Sequence, residues 1–185
     1  MKKWSIILVL FFFIAACSEE KELPVADVYQ IHNLGTLATT EYTFGKILQL
    51  NDNKEWYKLG DRKILISVRA KVKAGVDLQK IKPEDVVVSD ETTVTLRLPA
   101  AEIVSFEMNP SEIRTEMSDV NGFRMEFSQT EKIKILKMGE ESIRHDMMES
   151  NIIKDAEKNA RVFLTDFYKE LGFETVNIEF KPDLK

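Results

Sequence analysis

The hydrophobic pattern changes period along the chain, and each change predicts an element. From Ile66 the residues alternate. Ile66, Val68, Ala70, Val72 and Ala74 share one face, and Ser67, Arg69, Lys71 and Lys73 share the other. Period two predicts a half-buried strand with a cationic outer face. Thr39 to Leu50 is rich in Thr, aromatic and β-branched residues and predicts a second strand, with Asn51-Asp52-Asn53 as a turn. Gly75 permits a bend or bulge, and Asp77 to Ile81 a helical turn. Val86-Val87-Val88, the turn Ser89-Asp90-Glu91 and Thr92 to Leu98 predict a β-hairpin. Pro99 ends it, because proline lacks the amide that continues a ladder. Ala100 to Met108 begins as a turn and continues as a strand. Asn109 to Phe127 is a connecting segment with a short alternating stretch at Phe123–Phe127, expected to be the most variable and mobile part of the domain.

The period then becomes helical. Ser128 stands three residues before Glu131, the capping-box spacing that opens a helix. Ile133, Leu136, Glu140, Ile143 and Met147 follow at helical intervals. A second helix, or a continuation, covers Asn151 to Leu171. Its apolar face is Ile152, Ile153, Ala156, Ala160, Phe163, Leu164, Phe167 and Leu171, with charges opposite. Ala156 and Ala160 allow close approach to a neighbour. Gly172 suits the position that ends the helix, and Phe173 to Phe180 returns as a strand. This order predicts an α+β fold: a mixed or antiparallel sheet, one or two long C-terminal amphipathic helices and a final strand.

The amino-terminal stretch obeys neither period. Met1-Lys2-Lys3 is basic, Trp4 to Ile14 is apolar apart from Ser5, and Glu19 and Glu20 follow. A spanning helix needs about 20 apolar residues, roughly twice this run. The shape is that of a secretory signal. Ile14-Ala15-Ala16-Cys17 resembles the bacterial lipobox, in which a peptidase cleaves before the cysteine and the thiol carries diacylglycerol, with a further acyl chain such as palmitate on the nitrogen. The alternative is an ordinary secretory signal with a chance cysteine. Cys17 is the single cysteine in the chain, so no intramolecular disulfide forms. Several acyl chains anchor stably where one binds marginally. Residues 1–16 are therefore expected to be removed, residues 17–33 to form a lipidated tether, and residues 34–182 to form one α+β domain. Ser18 and the acidic residues after it resemble lipoproteins sorted to the outer membrane of a Gram-negative cell, on its periplasmic or surface face. A solvated acidic tether is the plainer reading of the same charges.

Charge narrows the partners. Without residues 1–16, which carry two lysines, the remaining 169 residues hold 24 basic against 31 acidic side chains, a net charge of −7. Nucleic acid expects a basic footprint, so it is excluded as a partner. The membrane partner is the lipid anchor, and the remaining partner is another protein or a second copy of this chain. With two histidines, His32 and His145, there is little material for a metal centre or a histidine-based nucleophile, and no cofactor is expected.

Several segments together resemble a known family, domain of unknown function 4230. They are Leu37 to Tyr42, Val72 to Leu78, Leu98 to Ile103, Asp155 to Ala160, and Leu171-Gly172-Phe173. The resemblance runs over residues 37–180 and implies an α+β domain, often membrane-attached, with no established activity.

Asp77 and Glu102 are the best candidates for catalysis, since two carboxylates in different environments can divide acid and base roles. The plainer reading is that Asp77 caps the turn after Gly75 and Glu102 is a solvated or helix-start charge. His145 and Glu149 stand at i, i+4, two ligands where a metal needs more. Arg69, Lys71, Lys73 and Arg97 form either a cationic sheet face for an anionic ligand or solvated strand residues. Methionines 108, 117, 125, 138, 147 and 148 are expected to fill core. The leading expectation is a non-enzymatic binding or assembly module. The alternatives are an envelope hydrolase or transferase whose pocket holds both Asp77 and Glu102, and a carrier with an enclosed apolar cavity.

Overall fold

A computed structural model describes residues 31–52, 60–122 and 124–182. Strand β2, Arg62–Asp77, is the axis of the fold. Strand β1, Thr36–Asp52, lies antiparallel along its whole length, from Thr36 opposite Asp77 to Asp52 opposite Arg62. On the other side of β2 two strands sit end to end. Strand β5, Glu102–Glu107, pairs with Lys71 to Gly75, and strand β6, Arg114–Val120, pairs with Arg62 to Ser67. A second sheet contains the predicted hairpin, β3 Val86–Asp90 and β4 Thr93–Leu98. Strand β7, Thr175–Phe180, joins β4 in parallel, Thr93 opposite Thr175 and Leu98 opposite Phe180. Helices α1, Gln129–Glu149, and α2, Ile152–Glu170, stand between β6 and β7 in the chain. The fold is α+β.

The alternation of β2 sets the core. Ile64, Ile66, Val68 and Ala70 are buried with Phe127, Ile135 and Ile143 from the α1 side. Val72, Ala74 and Val76 continue the same face into a second cluster with Val94, Leu96 and Leu98 of β4 and Ile152, Ala156, Ala160, Leu164 and Tyr168 of α2. One strand thus supplies both clusters. Ile31 is buried in the second cluster, so packing begins before residue 34.

Local rules account for the joints. Ser128 accepts a hydrogen bond from the Glu131 amide at 3.3 Å, and Glu131 accepts one from the Ser128 amide at 2.8 Å, completing the capping box. Gly172 has φ of 102°, and the amide of Phe173 reaches back to the Tyr168 carbonyl at 3.2 Å. Gly75 is needed for space: a Cβ there would lie 2.1 Å from the Leu37 carbonyl oxygen.

Three expectations change. Arg114–Val120 is a strand, because Arg62 to Ser67 of β2 offer a partner over that length, while residues 124–128 are irregular; Phe123 lies outside the described residues. The apolar row assigned to α1 holds at Leu136, Ile143 and Met147 but not at its start: Ile133 is 64 % exposed, and Ile135 and Gly139 are buried instead. Gly139 is where the helix comes closest, since a Cβ there would lie 2.6 Å from Leu48 Cδ1. In α2, Tyr168 is buried while Phe163 stays exposed and stacks on Phe167, ring centroids 6.4 Å apart. Among the described residues, no helix is long and apolar enough to cross a membrane.

Candidate functional site

Four segments distant in sequence meet at one corner of the molecule. β1 brings Leu37 to Thr40 beside Ala74, Gly75 and Val76 of β2, with a bulge between Ala38 and Thr40. On the far side of β2, Gly75 is opposite Glu102. α2 closes the corner from below. The Thr39 hydroxyl donates to the Ala156 carbonyl at 2.8 Å, and Asn159 Nδ2 donates to the Thr39 carbonyl at 3.2 Å and the Thr40 hydroxyl at 3.0 Å. Tyr42 donates to Asp155. That hydrogen bond, then desolvation and the carboxylate's charge, raise the Tyr42 phenol above its ordinary range. They belong to four of the five segments that carry the family resemblance, and the fold brings these four together.

Beside this corner lies a half-open cleft of about 610 Å³. Ala100, Ala101, Glu102 and Ile103 form one wall. Met147, Met148, Ser150, Ile153 and Lys154, at the joint of α1 and α2, form the other. Ser150 shapes that joint: its hydroxyl donates to the Met147 carbonyl at 2.7 Å and accepts from the Ile152 amide at 3.3 Å. The lining is mostly apolar, and its charges are Glu102 and Lys154. Such a surface suits a bound chain or small amphipathic molecule.

Asp77 and Glu102 come close together, but through a third residue. Lys80 Nζ lies 2.6 Å from Glu102 and 3.5 Å from Asp77. The Glu102 hydrogen bond leads in raising the Lys80 ammonium above its usual range, against desolvation, with Asp77 adding to it. Asp77 also accepts from the Gln79 amide at 3.1 Å, which caps the short 3-10 turn Leu78–Lys80. Only Glu102 lines the cleft, so the pocket expected to hold both carboxylates is absent there. The cleft is open, not the enclosed cavity of a carrier.

His145 and Glu149 form an exposed i, i+4 pair at 3.5 Å. Among the described residues, no group of three His, Cys, Asp or Glu side chains could hold a metal. On the outer face of β2, Arg69 lies 3.6 Å from Glu112 and Lys73 lies 3.7 Å from Glu41. Arg97 belongs to the other sheet, so the four cations do not form one face. Core filling fails for four methionines: Met117, Met125, Met138 and Met148 are exposed, while Met108 and Met147 pack against the clusters. Cys17 and the rest of the expected tether up to residue 30 lie outside the described residues.

Sequence reasoning missed a charged cluster at the other end of the sheet. Arg62 binds Asp52 at 2.6 Å and Glu131 at 2.8 Å, and its guanidinium lies 4.5 Å from the centre of the Phe127 ring. Arg124 also binds Asp52. The Ser128 amide first, then Arg62 and the Ser128 hydroxyl, hold the Glu131 carboxyl down at about 2. These residues span positions 52 to 131 and share no sequence pattern.

Residues 29–178 match the family model described as Protein of unknown function (DUF4230). No curated protein and no solved structure matches the chain.

Proposed function

The chain belongs to the DUF4230 family, and from that premise we propose that it is a lipid-anchored envelope lipoprotein whose domain is a non-enzymatic binding or assembly module. One observation carries the anchor: the basic start, short apolar run and Ile14-Ala15-Ala16-Cys17 block coincide with the single cysteine of the chain. Lipidation gives that unpaired thiol a use. The acidic stretch after Cys17 supports export to the outer membrane, on its periplasmic or surface face. Support for a non-enzymatic role comes from the corner described above. Its two carboxylates are spent on Lys80 and a turn cap, and the cleft beside it is walled by alanines, methionines and isoleucines.

Intact mass of the protein extracted from membranes tests the anchor. The expected result is loss of residues 1–16 and a diacylglyceryl adduct, with palmitate labelling that Cys17→Ala abolishes. An unmodified Cys17 overturns it. Protease treatment of intact cells, with a periplasmic control, decides the face.

A further inference from the structure

We propose that two copies of this chain pair antiparallel through the outer edge of β1, about a two-fold axis at Ile47. The inference deepens the assembly reading above and is independent of the lipid anchor.

An unpaired sheet edge is a template for another strand, and proteins blunt edges with shortness, bulges, charges or covering groups. The other edges here are blunted. β3 has five residues and a bulge between Val88 and Asp90. β6 is exposed and carries Arg114, Glu116 and Asp119. β5 has six residues and is acidic at both ends. Arg161 binds the Ile178 carbonyl of β7. β1 differs. It is 17 residues long, and among the described residues no strand lies beyond it. α2 bonds it at Thr39, Thr40 and Tyr42, and α1 reaches the Lys46 side chain through Asp146. From Glu41 to Leu50 no strand among the described residues pairs with the outer edge.

An exposed apolar side chain stands at the middle of that length. Ile47 is 72 % exposed on the outer face.

Charge and pleat select the register. Residues opposite one another in an antiparallel pair must point to the same face, so a two-fold axis passes through a residue. An axis at Lys46 would oppose two lysines. An axis at Phe44 would set Ile47 against Glu41. An axis at Ile47 sets isoleucine against isoleucine, Lys46 against Leu48, Gly45 against Gln49 and Asp52 against Tyr42. No like charges are then directly opposite. Lys46 and Asp52 are already neutralised in their own chain, Lys46 by Asp146 at 2.7 Å and Asp52 by Arg62 at 2.6 Å. Residues 42–52 would pair along their length, forming about ten backbone hydrogen bonds.

Cysteine cross-linking tests the register. In full-length Cys17→Ala chain purified in detergent, Ile47→Cys, Gly45→Cys and Gln49→Cys are made singly and oxidised. The pairing brings residue 47 within about 5 Å of its copy. It leaves residue 45 about 13 Å from its own copy, and residue 49 likewise. Ile47→Cys should therefore give a disulfide dimer, and the other two singly should not. Mixing Gly45→Cys with Gln49→Cys should restore it. Light scattering should give twice the 21.3 kDa chain mass plus bound detergent, and Ile47→Asp should give the monomer with an unchanged circular dichroism spectrum. A monomer at 100 µM (roughly the upper range of ordinary protein solutions) overturns the proposal, as does equal cross-linking at all three positions. Because Cys17 is absent, failure here is separate from failure of the anchor.

Discussion

Glu131 shows how much one side chain can hold at a joint. It caps α1 through Ser128 and reaches Arg62 of β2. Its folded carboxyl titrates at about 2, below the usual 4.5. A depressed carboxyl stabilises above its unfolded value, and that stabilisation is lost as pH falls through the folded value. Glu131→Gln should therefore lower Tm at pH 7. The gap to wild type should narrow from about pH 4.5 downward and close near pH 2. A gap independent of pH would mean the cluster acts by packing alone. Gly75 works at the same scale by lacking a side chain. Gly75→Ala pushes a methyl into the Leu37 carbonyl. It should cost about 3 kcal/mol, roughly 6–12 °C in Tm.

At the scale of elements, α2 follows its stripe closely and α1 does not. Ala156 and Ala160 are buried as their spacing predicts, because the helix must approach β1 and β2 closely. Ala160→Leu should overpack this contact and cost about 1–3 kcal/mol in urea unfolding. Val162→Lys, on the exposed side, should stay within about 0.5 kcal/mol of wild type. Equal effects would mean the helix is not seated on its alanines. α1 has isoleucines and methionines on several sides, so its period admits more than one buried face. Contact with Leu48 and Val68 selects the face carrying Gly139.

At the scale of the whole molecule, the C-terminal end is tied to the hairpin sheet. Asp85 is 3 % exposed and accepts from Lys181 at 2.6 Å and the Lys82 amide at 3.0 Å. Burial pushes this carboxyl up, but Lys181, the Lys82 amide and Arg97 outweigh it and hold it below its ordinary value. The pair therefore stabilises above the unfolded carboxylate pKa and is lost as pH falls. Lys181→Ala leaves a buried carboxylate with weaker support. A loss of about 1–2 kcal/mol at pH 7 is expected, the Lys181 end being partly solvated. Thermal melts at pH 7 and pH 3 check it, and the difference should shrink at the lower pH.

Local chemistry alone determined the strand along β2, the hairpin ended by Pro99, the capping box at Ser128, the stop at Gly172 and the amphipathic α2. Each is set by neighbours within a few residues, by side-chain period or by backbone freedom. The resemblance to DUF4230 was also legible, in segments whose residues stand as short runs. Tertiary structure decided the rest. Strand β6 exists because β2 has room for it. The split into two sheets, the union of Lys80 with Asp77 and Glu102, and the cluster around Asp52 join residues far apart in sequence. Their pairing depends on where the backbone turns, which no local pattern contains. The outer edge of β1 belongs to this second class: its residues read as an ordinary strand, and only the arrangement of the sheet leaves that side without a pairing strand among the described residues.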